Sequence, residues 1–261
     1  MKTLLTGISM GESPRWHDGR LWFSDWGAQE VIAVDPNGKA EVVRRVPFEL
    51  PFSFDWLPSG RFLIVAGREA KIHDDYADLS ALAPGWNEIV VDGRGNTYVN
   101  GSGVIALVTP DGRVQRVGDG GAFPNGMAVT PDNSTLILAE SYARQLAAFD
   151  IAADGTLSNR RTWAALGTGV PDGICMDAEG AVWYADVPNK NCVRVQEGGK
   201  ILEKVQLDRG GFACMLGGTD GRTLYIVATE WRGMDKIAEV AAARTGKILT
   251  VVAPSPHAGW P

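Results

Sequence analysis

The sequence predicts an all-β protein, a six-bladed β-propeller with four-stranded blades in a single domain over residues 1–261. Two observations carry this prediction. Short runs of β-branched and aromatic residues each follow an acidic or glycine turn, as in "HDGRLWFSDW" and "DAEGAVWYADV", which is the pattern of β-hairpins. These units recur every ~40 residues, a period typical of propeller blades.

Six such units follow one another along the chain, and each has the length of about four short strands. They begin near Gly11, Phe52, Trp86, Pro124, Pro171 and Phe212. The last unit is one strand short, and the N-terminal "MKTLLTGI" could supply that strand, so that both chain ends close the ring. Closure removes the sheet edges at which strands otherwise pair with other chains. A β-sandwich or two small β-domains are the alternatives.

Helical periodicity is weak throughout the sequence. The stretch that comes nearest to it is "DKIAEVAAARTG", which starts at Asp235. We interpret this stretch as a strand, a turn and another strand.

The composition of the chain limits which partners it can bind and in which compartment it is expected. A net charge of −6 argues against nucleic acid, because binding it requires clustered Lys and Arg. The apolar runs are too short to span a bilayer or to form a signal peptide. The chain has three cysteines, an odd number, which indicates reduced thiols in a cytoplasmic protein. It has only three histidines, so a histidine-based zinc site or a Ser-His-Asp triad is not expected.

The start of each unit holds the candidate functional residues. In a propeller, the first strand of each blade lines the central channel, so equivalent positions converge there. These positions are Glu12, Phe52 (or Ser53), Asn87, Asn125, Asp172 and Phe212. Four of the six carry side-chain oxygen, and two of those are carboxylates, a set that suits a hard divalent cation such as Ca²⁺, Mg²⁺ or Mn²⁺; zinc is less typical.

Turn chemistry is the competing interpretation of these phrases, since Asn or Asp before Gly is common in turns. Equivalent positions in four repeats favour a shared site, because two adjacent buried carboxylates without a cation would be costly. The glycines that follow Asn125 and Asp172 would allow close backbone approach or an unusual φ.

Two further groups of residues have structural interpretations. Polar residues recur at the ends of the second strands, where they cap strands and bond neighbouring blades or else line the pocket rim: Asp25, Asn100, Glu140 and Asp186. Cys175 and Cys214 fall on matching first strands, which indicates small core residues rather than nucleophiles.

Five phrases along nearly the whole chain resemble the senescence marker protein (regucalcin)/gluconolactonase/luciferin-regenerating enzyme family. They are "GESPRW", "WNEIVVDGRGNTYVNG", "FPNGMAVTPDNSTLILAES", "PDGICMDAEGAVWYAD" and "TGKI". The resemblance implies a six-bladed propeller with one divalent cation in the channel. By position, Glu12, Asn125 and Asp172 would be its ligands, and Asn87 would contact metal or substrate.

The activity implied by the resemblance is metal-dependent hydrolysis of lactones, typically sugar lactones. A cation can polarise the carbonyl and activate water, and Asp172 could act as general base. Ca²⁺ is the first expectation, with Mg²⁺, Mn²⁺, Zn²⁺ or Fe²⁺ as alternatives. A phosphotriesterase-like hydrolase and a non-catalytic calcium-binding propeller are the rival functions.

The sequence departs from the family pattern beside Asn87. Gly85 stands where members that act on aldonolactones often carry an Arg that holds sugar hydroxyls, and two stretches that usually carry longer loops over the site are short. These departures favour an open pocket and a bulkier or less polar substrate. Its apolar walls are predicted to come from Trp86, Phe52, Phe123 and Phe212.

Overall fold

The computed structural model describes residues 1–261 and contains six antiparallel sheets of four strands each. The first strands of consecutive sheets contact one another in order, and the first strand of the last sheet contacts that of the first. This arrangement is a six-bladed β-propeller, as the repeat predicted. Helical residues are confined to one short segment.

The first strand of the chain, β1 (Lys2–Ile8), belongs to the last blade. Blades 1 to 3 follow in chain order, four strands each: β2 (Gly11–His17), β3 (Arg20–Asp25), β4 (Glu30–Val34), β5 (Ala40–Arg45); β6 (Phe52–Trp56), β7 (Phe62–Ala66), β8 (Lys71–Ile72), β9 (Ala77–Asp78); β10 (Glu88–Val91), β11 (Thr97–Gly101), β12 (Val104–Val108), β13 (Val114–Asp119).

Blades 4 to 6 continue the pattern, and blade 6 takes its fourth strand from the N-terminus. Their strands are β14 (Pro124–Val129), β15 (Thr135–Glu140), β16 (Gln145–Ile151), β17 (Leu157–Ala165); β18 (Pro171–Met176), β19 (Val182–Asp186), β20 (Asn191–Val195), β21 (Ile201–Gln206); β22 (Gly210–Gly217), β23 (Thr223–Thr229), β24 (Gly246–Val252).

Burial along the blades follows from their position in the ring. β10 and β22 are buried at every residue, because an inner strand has neighbouring blades on both faces. The fourth strands, such as β5 and β21, are largely exposed and carry charged residues. The core therefore lies between the blades, where apolar side chains of adjacent sheets pack face to face.

Ring closure uses the N-terminal strand, as predicted. β1 pairs antiparallel with β24 over Lys2–Ile8, so blade 6 has the order β1, β24, β23, β22.

At the other chain end, residues 254–261 run along the opposite face from the cavity described below. Ala178 N donates to Pro256 O at 2.8 Å and Val129 N donates to Trp260 O at 2.6 Å, which ties the tail to blades 5 and 4.

The strand–turn–strand interpretation of the stretch from Asp235 is wrong in its first half. Met234–Lys236 form a 3-10 turn and Ile237–Ala243 form α1, and only the last part joins β24. Alanines and Glu239 favour helix, and Val240 is the one helical residue that is buried. Arg244, with φ 47°, ends α1 in the left-handed region. No helix in the structure has the length and apolarity to cross a membrane.

Three of the four polar residues at the ends of the second strands hydrogen-bond backbone groups, as the sequence predicted. Asp25 accepts hydrogen bonds from Ser9 N and Met10 N, both at 2.9 Å, which fixes the segment between β1 and blade 1. Asp186 accepts from Val170 N at 3.0 Å. Asn100 Nδ2 donates to Asn125 O at 2.5 Å and so links blade 3 to blade 4. Glu140 instead pairs with Arg160 and Gln145.

Candidate active site

A cavity of about 850 Å³ opens on the face of the ring where the first strands begin. Four of the predicted residues reach it: Glu12, Asn87, Asn125 and Asp172. Glu12 is buried, and the other three are half-buried. The structure therefore brings the four oxygen-bearing positions together at one place in the fold.

β-Bulges account for how three of these side chains reach the cavity. The pairing of the first and second strands shifts register between Glu12 and Arg15, between Pro124 and Met127, and between Pro171 and Ile174. Glu12, Asn125 and Asp172 lie at or within these shifts. An extra residue in a strand bends it locally and re-aims a side chain, which is why bulges are frequent beside functional sites.

The glycines after Asn125 and Asp172 permit close approach of neighbouring backbones. A Cβ on Gly126 would lie 2.6 Å from Ile174 N, and one on Gly173 would lie 2.4 Å from Ala213 Cβ. Neither glycine has a positive φ. Close packing of adjacent first strands, and not an unusual φ, is therefore the reason for glycine at these two positions.

Amide side chains connect the candidate residues across three blades. Asn87 Nδ2 donates to Asn125 Oδ1 at 3.3 Å, and Asn125 Nδ2 lies 3.4 Å from Ser141 Oγ. The Ser141 hydroxyl in turn donates to Pro171 O at 2.7 Å, next to Asp172. The Asn125 side chain also lowers the pKa of the Asp172 carboxyl, opposing the effect of burial. These contacts hold the oxygens of Asn87, Asn125 and Asp172 in one group.

Burial and like charge raise the pKa of both carboxyls. For Glu12, burial is the main cause, and the negative charges of Asp172 and Glu88 add to it. For Asp172, burial again comes first and the Glu88 charge second, while the hydrogen bond from Asn125 opposes them. The positive charge of Arg15 lowers the pKa of Glu12, but it offsets the effects of burial and like charge only in part.

Arg15 is a charged residue of the channel that the sequence reasoning missed. Its Nη2 lies 3.0 Å from Glu88 Oε1, and its Nε lies 3.8 Å from Asp55 Oδ2. Ser13 Oγ also donates to Glu88, at 3.1 Å. Glu88 is thus engaged by Arg15 and Ser13. The sequence feature that could have identified Arg15 is a basic residue on a first strand, three residues after Glu12.

Three of the four predicted aromatic walls line the cavity: Trp86, Phe123 and Phe212. Phe52 does not, which corrects its prediction as a substrate-binding residue. β6 pairs with β7 without a bulge, so Phe52 stays in register opposite Ala66. Its side chain is fully buried and meets Phe48 edge-on, with ring centroids 5.7 Å apart.

The segment that includes α1 contributes an apolar wall that the sequence reasoning did not foresee. Trp231, Met234 and Ile237 line the cavity, and the rings of Trp231 and Phe212 meet edge-on at 5.5 Å. The strand interpretation of the stretch from Asp235 hid the contribution of Ile237, whereas Trp231 and Met234 precede that stretch. Tyr142, stacked on Phe123 at 4.5 Å, is a further aromatic residue of the cavity that was missed.

Gly85 also lines the cavity. A Cβ there would meet only Ser102 Oγ, at the ordinary contact distance of 3.4 Å. Packing therefore does not require glycine at this position. The missing side chain leaves part of the cavity open, where an arginine would have offered hydrogen-bond donors.

The donor set fits a hard divalent cation. Glu12 and Asp172 supply carboxylate oxygens, Asn87 and Asn125 supply amide oxygens, and Ca²⁺ and Mg²⁺ take such ligands. The protein has no cluster of three or more His, Cys, Asp or Glu that could hold a metal ion, so a cation at this site would depend on the amides. A positive charge near the two carboxylates would also favour their ionised forms.

The family profile described as "SMP-30/Gluconolactonase/LRE-like region" matches residues 10–230 of the chain. Among curated proteins, regucalcin of Xenopus laevis is 28% identical over 96% of this chain and 95% of its own length. The 6-deoxy-6-sulfogluconolactonase of Pseudomonas putida is 24% identical over 88% of this chain and 87% of its own.

Solved structures share the fold. A luciferin-regenerating enzyme superposes with a TM-score of 0.81 at 20% identity, covering 98% of this chain and 96% of its own. This agreement extends the likeness over the whole ring, including β1 and β24.

Proposed function

The chain belongs to the SMP-30/gluconolactonase/LRE-like family, and from that premise we propose that it is a divalent-metal-dependent hydrolase of lactones. One observation carries the proposal: a buried carboxylate (Glu12), a half-buried carboxylate (Asp172) and two amides, from four blades, converge in one cavity. In this proposal Glu12, Asn125 and Asp172 are the metal ligands. Ca²⁺ is the proposed cation, since the donors are all oxygen and the regucalcin relatives include a calcium-binding protein of Agrobacterium tumefaciens.

A cation bound there would polarise the lactone carbonyl, stabilise the oxyanion and lower the pKa of bound water. Asp172 would act as general base, taking a proton from the attacking water. The water oxygen adds to the carbonyl carbon, the ring C–O bond breaks, and the proton passes to the released alkoxide, giving a hydroxy acid.

Asn87 is proposed to orient the substrate or to complete the ligand set. Its amide makes one long hydrogen bond, 3.3 Å to Asn125 Oδ1, so its Nδ2 can turn to a substrate oxygen at little loss. Trp86, Phe123 and Phe212 would contact the non-reacting part of the substrate. No covalent nucleophile is required, and the three free cysteines are all buried. Reduced thiols of this kind support a cytoplasmic location.

The proposal is tested by a panel of lactones assayed on chelator-treated protein before and after adding back Ca²⁺, Mg²⁺, Mn²⁺, Zn²⁺ or Fe²⁺. We expect turnover only with added cation. Asp172→Asn and Glu12→Gln should lower kcat/KM by about 100-fold or more, which is typical when an electrostatic stabiliser of the transition state is lost. Glu197→Gln, an exposed carboxylate outside the cavity, is the control and should keep full activity.

Two results would assign a different function to the same site. Turnover of phosphotriesters without any lactone would make the protein a phosphotriesterase-like hydrolase with the same residues. Calorimetric binding of Ca²⁺ that depends on Asp172, with no turnover across the panel, would favour a calcium-binding function like the one named for the Agrobacterium tumefaciens regucalcin. Full activity of metal-stripped Asp172→Asn would refute the metal mechanism.

A further inference from the structure

The wall of the cavity is poor in groups that could bind hydroxyls. Its charged side chains are Glu12, Asp172 and Arg68, and Arg68 pairs with Glu49 at 2.7 Å. A ligand with many hydroxyl groups would therefore give up its hydrogen bonds to water and find few hydrogen-bonding groups in the cavity. Each ligand hydroxyl left without a partner lowers the binding free energy.

The serine hydroxyls of the cavity are already used within the protein. Ser102 Oγ donates to Gly85 O at 2.9 Å, and Ser141 Oγ donates to Pro171 O at 2.7 Å. Each can still accept a hydrogen bond but has no free proton to donate. Gly85 offers no side chain at all. Asn87 and Asn125 are the only residues with a side-chain amide that line the cavity, and both amides already make hydrogen bonds within the protein.

Exposed apolar side chains gather at the mouth of the same cavity. Met234 is 63% exposed, Tyr142 70% and Phe123 45%, and all three line the cavity. The other large exposed hydrophobic residues lie outside it: Met1, Val42, Val43, Ile201 and Val252. Exposed apolar surface that is concentrated at a concave site marks a binding surface, whereas scattered residues do not.

The backbone at Phe123 adds a second sign of function. This residue has φ 61°, in the left-handed region, which a bulky side chain rarely adopts. It stands two residues before Asn125, and its ring stacks on Tyr142. Strained residues of this kind persist where the surrounding structure holds them, and they concentrate at ligand sites. Here this backbone conformation places an aromatic ring at the cavity mouth.

Accepting the proposed lactonase function, we propose that the substrate is a lactone with a large apolar substituent, alkyl or aryl, and not a hydroxyl-rich sugar lactone. The ring carbonyl lies at the group of Glu12, Asn125 and Asp172. The substituent lies against the apolar wall of Trp231, Met234 and Ile237. A cavity of about 850 Å³ is in the range that holds drug-sized ligands.

The first test compares kcat/KM for δ-valerolactone, δ-decalactone and D-glucono-1,5-lactone. The pentyl group of δ-decalactone should raise kcat/KM at least about tenfold over δ-valerolactone, since each buried methylene contributes to transition-state binding. D-glucono-1,5-lactone should be turned over more slowly than δ-decalactone. Preference for the sugar lactone, or equal rates for the two δ-lactones, would overturn the inference and leave the lactonase function standing.

Variants locate the effect at the apolar wall. Met234→Ser and, separately, Trp231→Ala should reduce the advantage of δ-decalactone several-fold. Met234 is mostly exposed, so its replacement should leave the fold intact. Ile201→Ser, which changes a 56% exposed residue on β21, is the matched control and should keep the wild-type ratio. A ratio unchanged in both cavity variants would contradict the assignment of the substituent to this wall.

A titration independent of hydrolysis separates this inference from the lactonase function. Cyclohexanone and 3-pentylcyclohexanone replace the ring oxygen by carbon and cannot be hydrolysed. The protein should bind the pentyl ketone at least about tenfold more tightly, and Met234→Ser should reduce that difference. If no lactone is turned over but this preference holds, the function fails and the apolar site stands. Equal binding of the two ketones overturns the apolar site.

Discussion

The backbone at each candidate ligand decides whether the side chain reaches the channel. Glu12, Asn125 and Asp172 lie at bulges, whereas β6 pairs in register and keeps Phe52 in the core. The repeat identified the equivalent positions because equivalent blades meet at one axis. It could not reveal Phe52 as an exception, since the presence of a bulge depends on strand pairing rather than on the residue itself.

Asp55 provides a pH-dependent test of the channel electrostatics. Burial raises the pKa of its carboxyl from 3.8 to about 6, although Arg15 opposes the shift. Between these values the native state holds a proton that the unfolded state has lost, so the free energy of unfolding should fall as pH rises through this window. The contribution is roughly 3 kcal/mol, at 1.36 kcal/mol per pKa unit.

Asp55→Asn removes this component. Urea unfolding of both proteins between pH 4.5 and 7.5, with chelator present, should show wild type losing stability relative to the variant as pH rises to about 6, with little change above. Parallel curves for the two proteins would contradict the raised pKa. The comparison cancels the contributions of Glu12 and Asp172, whose carboxyls are present in both.

The helical segment inserted between β23 and β24 shows how one element can shape the site. Ile237 of α1, Met234 of the turn before it and Trp231 ahead of that turn provide an apolar wall that the strands do not. The spacing of the acidic and glycine turns made the blades predictable. α1 was not, because Ala, Val and Ile occur in both helices and strands and its single buried residue gives no helical period.

Val240 is expected to hold α1 against the ring, since it is the helix's only buried residue. Val240→Ala should lower the free energy of unfolding by about 1–2 kcal/mol, the usual effect of removing buried methyl groups. It should also speed hydrogen exchange in residues 234–243. Val252→Ala, at an 82% exposed position on β24, serves as the control and should be near neutral. Equal effects of the two substitutions would contradict this role.

At the scale of the whole molecule, six blades depend on one strand from the N-terminus. Removing residues 1–6 would take most of β1 from blade 6 and leave β24 as an unpaired edge. Unpaired edges associate with other chains. We expect the truncated protein to unfold at least about 2 kcal/mol more easily, through lost packing of Leu4 and Leu5, and to form dimers or aggregates in size-exclusion chromatography.

A synthetic peptide of residues 1–8 provides the control for this truncation. Added in excess, it should restore the monomer and raise the thermal midpoint, because it can pair with β24. A truncated protein that is monomeric and as stable as the full chain would show that β1 is dispensable.

The pairing of β1 with β24 also orders events during synthesis. β1 leaves the ribosome before the other strands of the ring, and its partner β24 leaves after them. The paired residues Lys2 and Thr250 are 248 residues apart, with all of the intervening blades between them. The nascent chain therefore carries an unpaired strand through the formation of blades 1 to 5. Contacts between residues so far apart in sequence form slowly. Until β24 is available, β1 can pair with a strand of another nascent chain, and correct folding requires that β1 pair with β24 before such association occurs.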